Sequence, residues 1–115
     1  MSLKVETVRS ASSGTVGRAV NEARGQRLVL DSSTAPQADA LTNSEAFLAG
    51  ISSCGVTLIE GHAKDTGVPV RRMTVTIEGA RAPGEPRFQS VAMRFEIAGV
   101  SQAQAEALVE TYRSR

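Results

Sequence analysis

The chain has 115 residues, with 13 basic side chains against 12 acidic ones and a formal net charge of +1. This length fits a single domain, and the charge lacks the basic excess that binding to nucleic-acid phosphates requires. Aromatic residues make up only 3% of the chain, so it also lacks the stacking surface of a single-strand binder. We therefore expect one domain over residues 1–115 and no nucleic-acid partner.

The sequence also indicates a cellular compartment. It has no run of about 18 apolar residues, and residues 1–6 lack the basic and apolar regions of a secretory signal. A single cysteine excludes an intrachain disulfide framework and a multi-cysteine zinc site, and a free thiol fits a reducing environment. These features predict a cytoplasmic protein with no membrane partner and no cofactor.

Three short strands are predicted in the amino-terminal third. Apolar and polar residues alternate over residues 3–7 and again over residues 16–20, and a third apolar run covers residues 27–30. The segment Ala23-Arg24-Gly25 is typical of a turn between the second and third strands. The pattern predicts a β-meander.

A long helix is predicted at residues 43–66. Thr42 and Glu45 have the spacing of a capping box, in which a hydroxyl and a carboxylate each satisfy an unpaired amide. Gly67 follows the last turn as a left-handed cap. Apolar residues cover nearly the whole circumference of this helix, so we expect the helix to be buried.

The remaining elements are a hairpin and a second helix. Alternating patterns over residues 73–78 and 91–97 predict two half-buried strands, and the connection over residues 80–86 holds two prolines and a glycine. Ser101 and Gln104 form a second capping box before apolar residues at helical spacing. The predicted order is βββ-α-ββ-α, which is an α+β fold.

Residues 41–54, with the sequence LTNSEAFLAGISSC, resemble the central-helix motif of the OsmC/Ohr family of osmotically inducible and organic-hydroperoxide-resistance proteins. The likeness rests on a small-polar-acidic helix start, an apolar middle and a small-small-Cys ending. The predicted order of elements is also similar to that family. The resemblance implies an OsmC-like fold, with a buried central helix, in an intertwined homodimer.

The resemblance implies that Cys54 is a peroxidatic thiol, which attacks a small organic hydroperoxide and becomes a sulfenic acid. In active members a second cysteine just after the following helix resolves this acid as a disulfide, which dithiols reduce. The sequence stops at Arg115, about where that cysteine would follow. We therefore expect the domain to lack the family's carboxy-terminal segment and to depend on an external thiol reductant.

The same resemblance implies a carboxylate and an arginine that keep the thiol ionised. The family's carboxylate lies ten positions before the cysteine, which is Ser44 here, whereas Glu45 falls on the opposite helix face, roughly 13 Å along the axis. The capping box is the better explanation of Glu45. The arginine would come from the early strands of a partner subunit, where Arg18, Arg24 and Arg27 lie. Of these, Arg18 and Arg27 are the candidate partners of the thiolate.

Two interpretations of Cys54 stay open. Free cysteine is among the most buried residue types, so Cys54 could be an inert core thiol. Its small neighbours Ser52, Ser53 and Gly55 instead favour access for a substrate. An inert thiol would fit a second hypothesis, in which the protein keeps the fold but, at the pocket of the family's active site, binds a small apolar ligand or serves as a structural dimer.

The single histidine offers no alternative chemistry. His62 lies about 12 Å from Cys54 along the helix, which is too far for a Cys–His dyad. Glu60, His62 and Asp65 do not share one helix face, so the sequence predicts no metal site.

Overall fold

The computed structural model describes residues 3–114, and its elements follow the predicted βββ-α-ββ-α order. They are β1 (Arg9–Ser12), β2 (Arg18–Ala23), β3 (Gln26–Asp31), α1 (Asn43–Thr66), β4 (Arg72–Ala80), β5 (Ser90–Ala98) and α2 (Gln102–Arg113). The chain divides into two compact units, the first ending at Phe47 and the second beginning at Leu48. Each unit has its own antiparallel sheet, which confirms the α+β class.

The first unit is a three-stranded sheet in the order β1-β2-β3. Strands β2 and β3 are joined by a two-residue turn, because Ala23 pairs with Gln26. The two turn residues, Arg24 and Gly25, have φ angles of 52° and 80°. Positive φ at both positions is the type I′ geometry, whose twist matches that of antiparallel strands. The predicted meander and its turn are therefore confirmed.

The position predicted for the first strand is wrong. Strand β1 is Arg9–Ser12, and it pairs with residues 19–22 of β2, whereas residues 3–8 lie in no strand. Arg9 lies opposite Glu22, and β2 ends one residue later at Ala23. Residues before Val8 would therefore have no residue of β2 to pair with. A strand needs a neighbour for its backbone groups, and an alternating pattern alone does not supply one.

The second unit packs the β4–β5 hairpin and α2 against one side of α1. Strands β4 and β5 pair over nine residues each, from Arg72 opposite Ala98 to Ala80 opposite Ser90. Among the described residues, the buried hydrophobic side chains are Ile59 and Ala63 of α1 and Leu108 of α2. The apolar side chains packed around them include Met73, Phe95, Ile97, Val109 and Tyr112.

Both predicted capping boxes are confirmed. The amide of Thr42 donates to Glu45 Oε1 at 2.9 Å, and the amide of Glu45 donates to Thr42 Oγ1 at 3.1 Å. Ser101 and Gln104 make the same reciprocal pair before α2. Helix α1 ends before Gly67, whose φ of 73° is the left-handed conformation expected of the cap.

The single chain covers only one face of α1. Gly55, Ile59 and Ala63 are buried, whereas Phe47 on the other side is 60% exposed. The exposed face includes Gly50, Cys54, Thr57 and Gly61. The burial expected from the apolar circumference of this helix is thus incomplete in one chain, because one hairpin and one helix cover a single side of it.

Candidate functional site

Cys54 lies near the middle of α1, and it is exposed in the single chain. Eleven residues separate it from Asn43, which places it roughly 17 Å from the start of the helix. The macrodipole acts within the first turn, so it does not reach this thiol. An inert core thiol would be buried, whereas Cys54 is exposed in the single chain, so its position does not fit that interpretation.

Small side chains surround the thiol on the exposed face. Gly50 lies one turn before Cys54, Ser53 directly precedes it, and Thr57 follows about one turn later. A Cβ added at Gly50 would meet no neighbouring atom within 4 Å. Within residues 3–114, no side chain forms a hydrogen bond or an ion pair with Cys54. The sulfur is therefore open to a molecule that approaches this face.

The opposite side of the same turn is packed. Gly55 is buried, and a Cβ added there would lie 3.4 Å from Phe95 and 3.7 Å from Tyr112. The hydroxyl of Tyr112 donates to the backbone carbonyl of Ile51 at 3.3 Å. Thus β5 and α2 hold the turn that presents Cys54.

Arg18, at the start of β2, is enclosed by acceptors of its own unit. Its Nη1 donates to Asp31 Oδ2 and Asp39 Oδ1, each at 3.0 Å, and its Nη2 donates to Asp39 Oδ2 at 2.8 Å. Gln37 Oε1 accepts a further bond at 3.3 Å. The bonds to Asp39 and then Asp31 raise the pKa of Arg18, whose side chain is only 15% exposed.

Asp31, the last residue of β3, anchors this cluster with 2% of its side chain exposed. It accepts bonds from Ser33 Oγ at 2.6 Å, the Ser33 amide at 3.0 Å and the Gln37 amide at 3.2 Å. These bonds, led by the one from the Ser33 hydroxyl, hold the pKa of Asp31 far below its ordinary value, although burial acts in the opposite direction. The hydrogen bond from Arg18 likewise lowers the pKa of Asp39.

The other predicted site residues have their own partners. Arg27 on β3 lies opposite Glu22 on β2, with Nε 3.6 Å from Glu22 Oε2, and its side chain is 75% exposed. Glu45 caps α1 through Thr42. Arg18, Arg27 and Glu45 each have partners within their own unit, and their roles toward Cys54 stay predictions.

Sequence reasoning missed the partners of Arg18. The sequence signal for the cluster of Arg18, Asp31 and Asp39 is weak. It consists of an acidic residue, Asp31, at the end of an apolar run and a second one, Asp39, in the polar loop that follows. No pattern of spacing links Arg18 to either carboxylate, because β2, β3 and the loop meet only after the sheet has formed.

A surface cleft of about 450 Å³ lies between β5 and α2, and Cys54 is not among the residues that line it. Ile97 and Val109 contribute apolar surface, but Glu96, Glu106 and Glu110 also line it. Arg113 lines it as well and pairs with Glu110, and Glu96 pairs with Arg94, so much of the wall is charged. The hypothesis of an apolar-ligand binder concerns the pocket at Cys54, so this cleft does not test it.

Residues 3–114 hold neither a metal-binding cluster nor a membrane-spanning helix. No group of three His, Cys, Asp or Glu side chains there is arranged to hold a metal ion. Across the same described residues, no helix is both long enough and apolar enough to cross a membrane.

A three-stranded sheet, a long helix that carries a central exposed cysteine, a hairpin and a second helix define an OsmC-type α+β protein. The family model described as OsmC-like protein matches residues 36–115, which include all of α1 and Cys54. The match covers well over half of the chain, so the chain belongs to the OsmC-like family. The family and the fold that the sequence predicted are confirmed.

Solved structures share the fold at low sequence identity. An OsmC-like protein from Mycoplasma pneumoniae superposes with a TM-score of 0.86 at 14% identity, covering 97% of this chain and 82% of that chain. An organic hydroperoxide resistance protein OsmC from Legionella pneumophila gives 0.74 at 21% identity, covering 99% and 85%. The organic hydroperoxide resistance protein from Elizabethkingia anophelis gives 0.74 at 19%, covering 98% and 84%. No curated protein sequence matches the chain.

Proposed function

We propose that this protein is a cytoplasmic, thiol-dependent peroxidase that reduces small organic hydroperoxides through Cys54. The observation that carries the proposal is the exposed thiol of Cys54, flanked by small side chains, in the helix of an OsmC-like domain. Two structural neighbours are named organic hydroperoxide resistance proteins, which is consistent with this class of substrate.

The reaction begins when the thiolate of Cys54 attacks the terminal, hydroxyl-bearing oxygen of a hydroperoxide ROOH. The O–O bond breaks, the leaving alkoxide takes a proton and departs as ROH, and Cys54 becomes a sulfenic acid. The sulfur has lost two electrons, and the peroxide has gained them. An external thiol then condenses with the sulfenic acid, releasing water and leaving a mixed disulfide. A second molecule of that thiol restores Cys54 and departs as its own disulfide.

The functional unit of the proposal is a homodimer. Phe47, which is 60% exposed, lies on the exposed face of α1. The other residues of this face named above, Gly50, Cys54, Thr57 and Gly61, are small and uncharged. An exposed apolar patch of this kind often marks an interface. A second copy that covers part of this face would shield the thiol from water and leave a narrower path for a substrate.

The cation that favours the thiolate is Arg27 of a second copy rather than Arg18. Arg18 already binds two carboxylates and is nearly buried, so releasing its guanidinium would leave the buried Asp31 carboxylate without a cation. Arg27 has a single surface partner at 3.6 Å, and exposed ion pairs of this kind contribute little. Arg27 can therefore change partners at low cost.

The proposal is tested by trapping the sulfenic acid. Reduced protein is mixed with one equivalent of cumene hydroperoxide in the presence of dimedone, and intact mass is measured, with Cys54→Ser as the control. We expect one label on the native protein and none on the variant. Without dimedone, consumption of hydroperoxide beyond one equivalent should require added thiol. A native protein whose Cys54 alkylates readily with iodoacetamide but never traps dimedone would contradict the proposal.

The alternative is a non-catalytic OsmC-like protein that binds a ligand or serves as a structural dimer. It is favoured by Ser44, which stands at the position of the family's carboxylate, and by Glu45, whose carboxylate is used in the cap of α1. Failure of the trapping experiment, together with a stable dimer in solution, would support this alternative.

A further inference from the structure

Tyr112 of α2 contacts the turn of α1 that carries Cys54. Its hydroxyl donates to the carbonyl of Ile51 at 3.3 Å and lies 3.8 Å from the sulfur of Met93. Its ring packs edge-on against Phe95, with centroids 5.7 Å apart and an interplanar angle of 61°. The phenol is thus held by two residues of β5 and reaches the backbone of α1.

The carbonyl that Tyr112 binds belongs to the helical turn that ends at Gly55. In an α-helix the carbonyl of Ile51 also accepts the amide of Gly55, and a carbonyl oxygen has lone pairs for both donors. Gly55 is buried, and a Cβ added there would make ordinary contacts with Phe95 at 3.4 Å and Tyr112 at 3.7 Å, so both rings pack directly against this side of the helix. Cys54 lies inside this turn, so its backbone is fixed from the packed side.

On the basis of the proposed function, we propose that Tyr112 is a positioning residue for Cys54. Its hydroxyl and ring hold the turn from Ile51 to Gly55 in one arrangement, which sets the direction in which the thiol meets a hydroperoxide. Tyr112 acts through the backbone of α1 and takes no part in the transfer of oxygen. A reacting group that moves out of line loses rate steeply, so removal of the hydroxyl should lower the rate in a folded protein.

The first test is Tyr112→Phe, which removes the hydroxyl and keeps the ring. The matched control is Thr111→Val, because the hydroxyl of that neighbouring residue bonds only within α2, to the carbonyl of Ala107 at 3.1 Å. We expect the rate of dimedone trapping at Cys54 to fall about three- to tenfold in Tyr112→Phe and to change less than about twofold in Thr111→Val. An active protein in which both variants match the native rate overturns the inference.

The second test is amide hydrogen exchange, which needs no peroxide. We expect the Gly55 amide to exchange several-fold faster in Tyr112→Phe, and the Gly61 amide, elsewhere on the exposed face, to be unchanged. If native protein forms no sulfenic acid, the proposed function fails, and the Gly55 exchange rate alone then decides whether Tyr112 holds the turn. Unchanged exchange at Gly55 overturns the inference in either case.

A spectroscopic readout distinguishes positioning from general stabilisation. The chain has one tyrosine and no tryptophan, so its intrinsic emission comes from Tyr112 alone. We expect this emission to change when Cys54 is oxidised or alkylated, and to stay constant when Cys54→Ser receives the same reagent. If the emission is the same for reduced, oxidised and alkylated Cys54, Tyr112 contributes only to packing, and the inference is contradicted.

Discussion

Substituting alanine for Gly50 and Gly61 tests whether the exposed face of α1 is free or covered in solution. Both glycines lie on the same face as Cys54, one on each side of it along the helix. In the single chain, a methyl group at either position would meet no neighbouring atom within 4 Å. Each substitution should therefore act only through helix propensity.

The expected gain follows from the cost of glycine in a helix. Replacing an interior glycine by alanine stabilises a helix by about 0.5–1 kcal/mol. The two positions are roughly 17 Å apart along α1, so their effects should add to about 1–2 kcal/mol. For a chain of this size, that gain corresponds to a rise in Tm of roughly 3–10 °C.

Urea unfolding followed by circular dichroism measures this gain, and sedimentation velocity on the same samples reports whether the protein is a monomer or a dimer. Gly99→Ala is the control for a filled site, because the φ of Gly99 is 98° and its Cβ would lie 2.5 Å from the backbone oxygen of Pro69, which should cost about 1–3 kcal/mol. A loss of stability for Gly50→Ala or Gly61→Ala in a monomeric sample would refute the reasoning. A loss seen only in a dimer would locate the interface on this face.

Three further outcomes follow from individual side chains. Asp31 has a depressed pKa, so its contribution to stability is present above its ordinary pKa near 4 and is lost as the pH falls below that value. Asp31→Asn should therefore be less stable than the native protein at pH 7, and its free energy of unfolding should fall less between pH 7 and pH 3. Urea midpoints at the two pH values measure both effects. Ile59 is 0% exposed, and Ile59→Ala should lower the free energy of unfolding by about 2–5 kcal/mol, whereas Val16→Ala, at a site 95% exposed, should change it by less than about 0.5 kcal/mol. Glu45→Gln keeps a carbonyl acceptor for the Thr42 amide, so it should leave dimedone trapping at Cys54 within about twofold of the native rate, while a larger fall would mean that the carboxylate acts on the thiol.

Sequence patterns predicted the elements whose signals are local. The capping boxes at Thr42 and Ser101 fixed both helix starts, since each depends on residues three positions apart. The turn at Arg24-Gly25 was predicted equally well. The first strand was misplaced because its position depends on where β2 ends, which no pattern within residues 3–12 reveals.

The candidate site was predictable only in part for the same reason. The helix motif located Cys54, but the partners of Arg18 are contributed by β3 and by the loop after it, at sequence separations of 13 and 21 residues. Tyr112 is 61 residues from Ile51 in sequence, and its contact depends on how α2 packs on α1. Such contacts arise from tertiary packing, which local periodicity does not encode.

Cys54 and Gly55 are neighbours in sequence, yet one is exposed and the other is buried. A helix turns by about 100° per residue, so one turn can present a thiol outward while the next residue packs against the core. Packing on the side of Gly55 fixes the backbone, and small residues on the side of Cys54 leave room for a substrate. Bulk added at Gly55 should therefore disturb the packing of Phe95 and Tyr112, whereas bulk added at Gly50 should restrict access to the thiol. In the proposed peroxidase, this division of one helical turn into a packed side and an open side would let a mobile hydroperoxide meet a fixed sulfur.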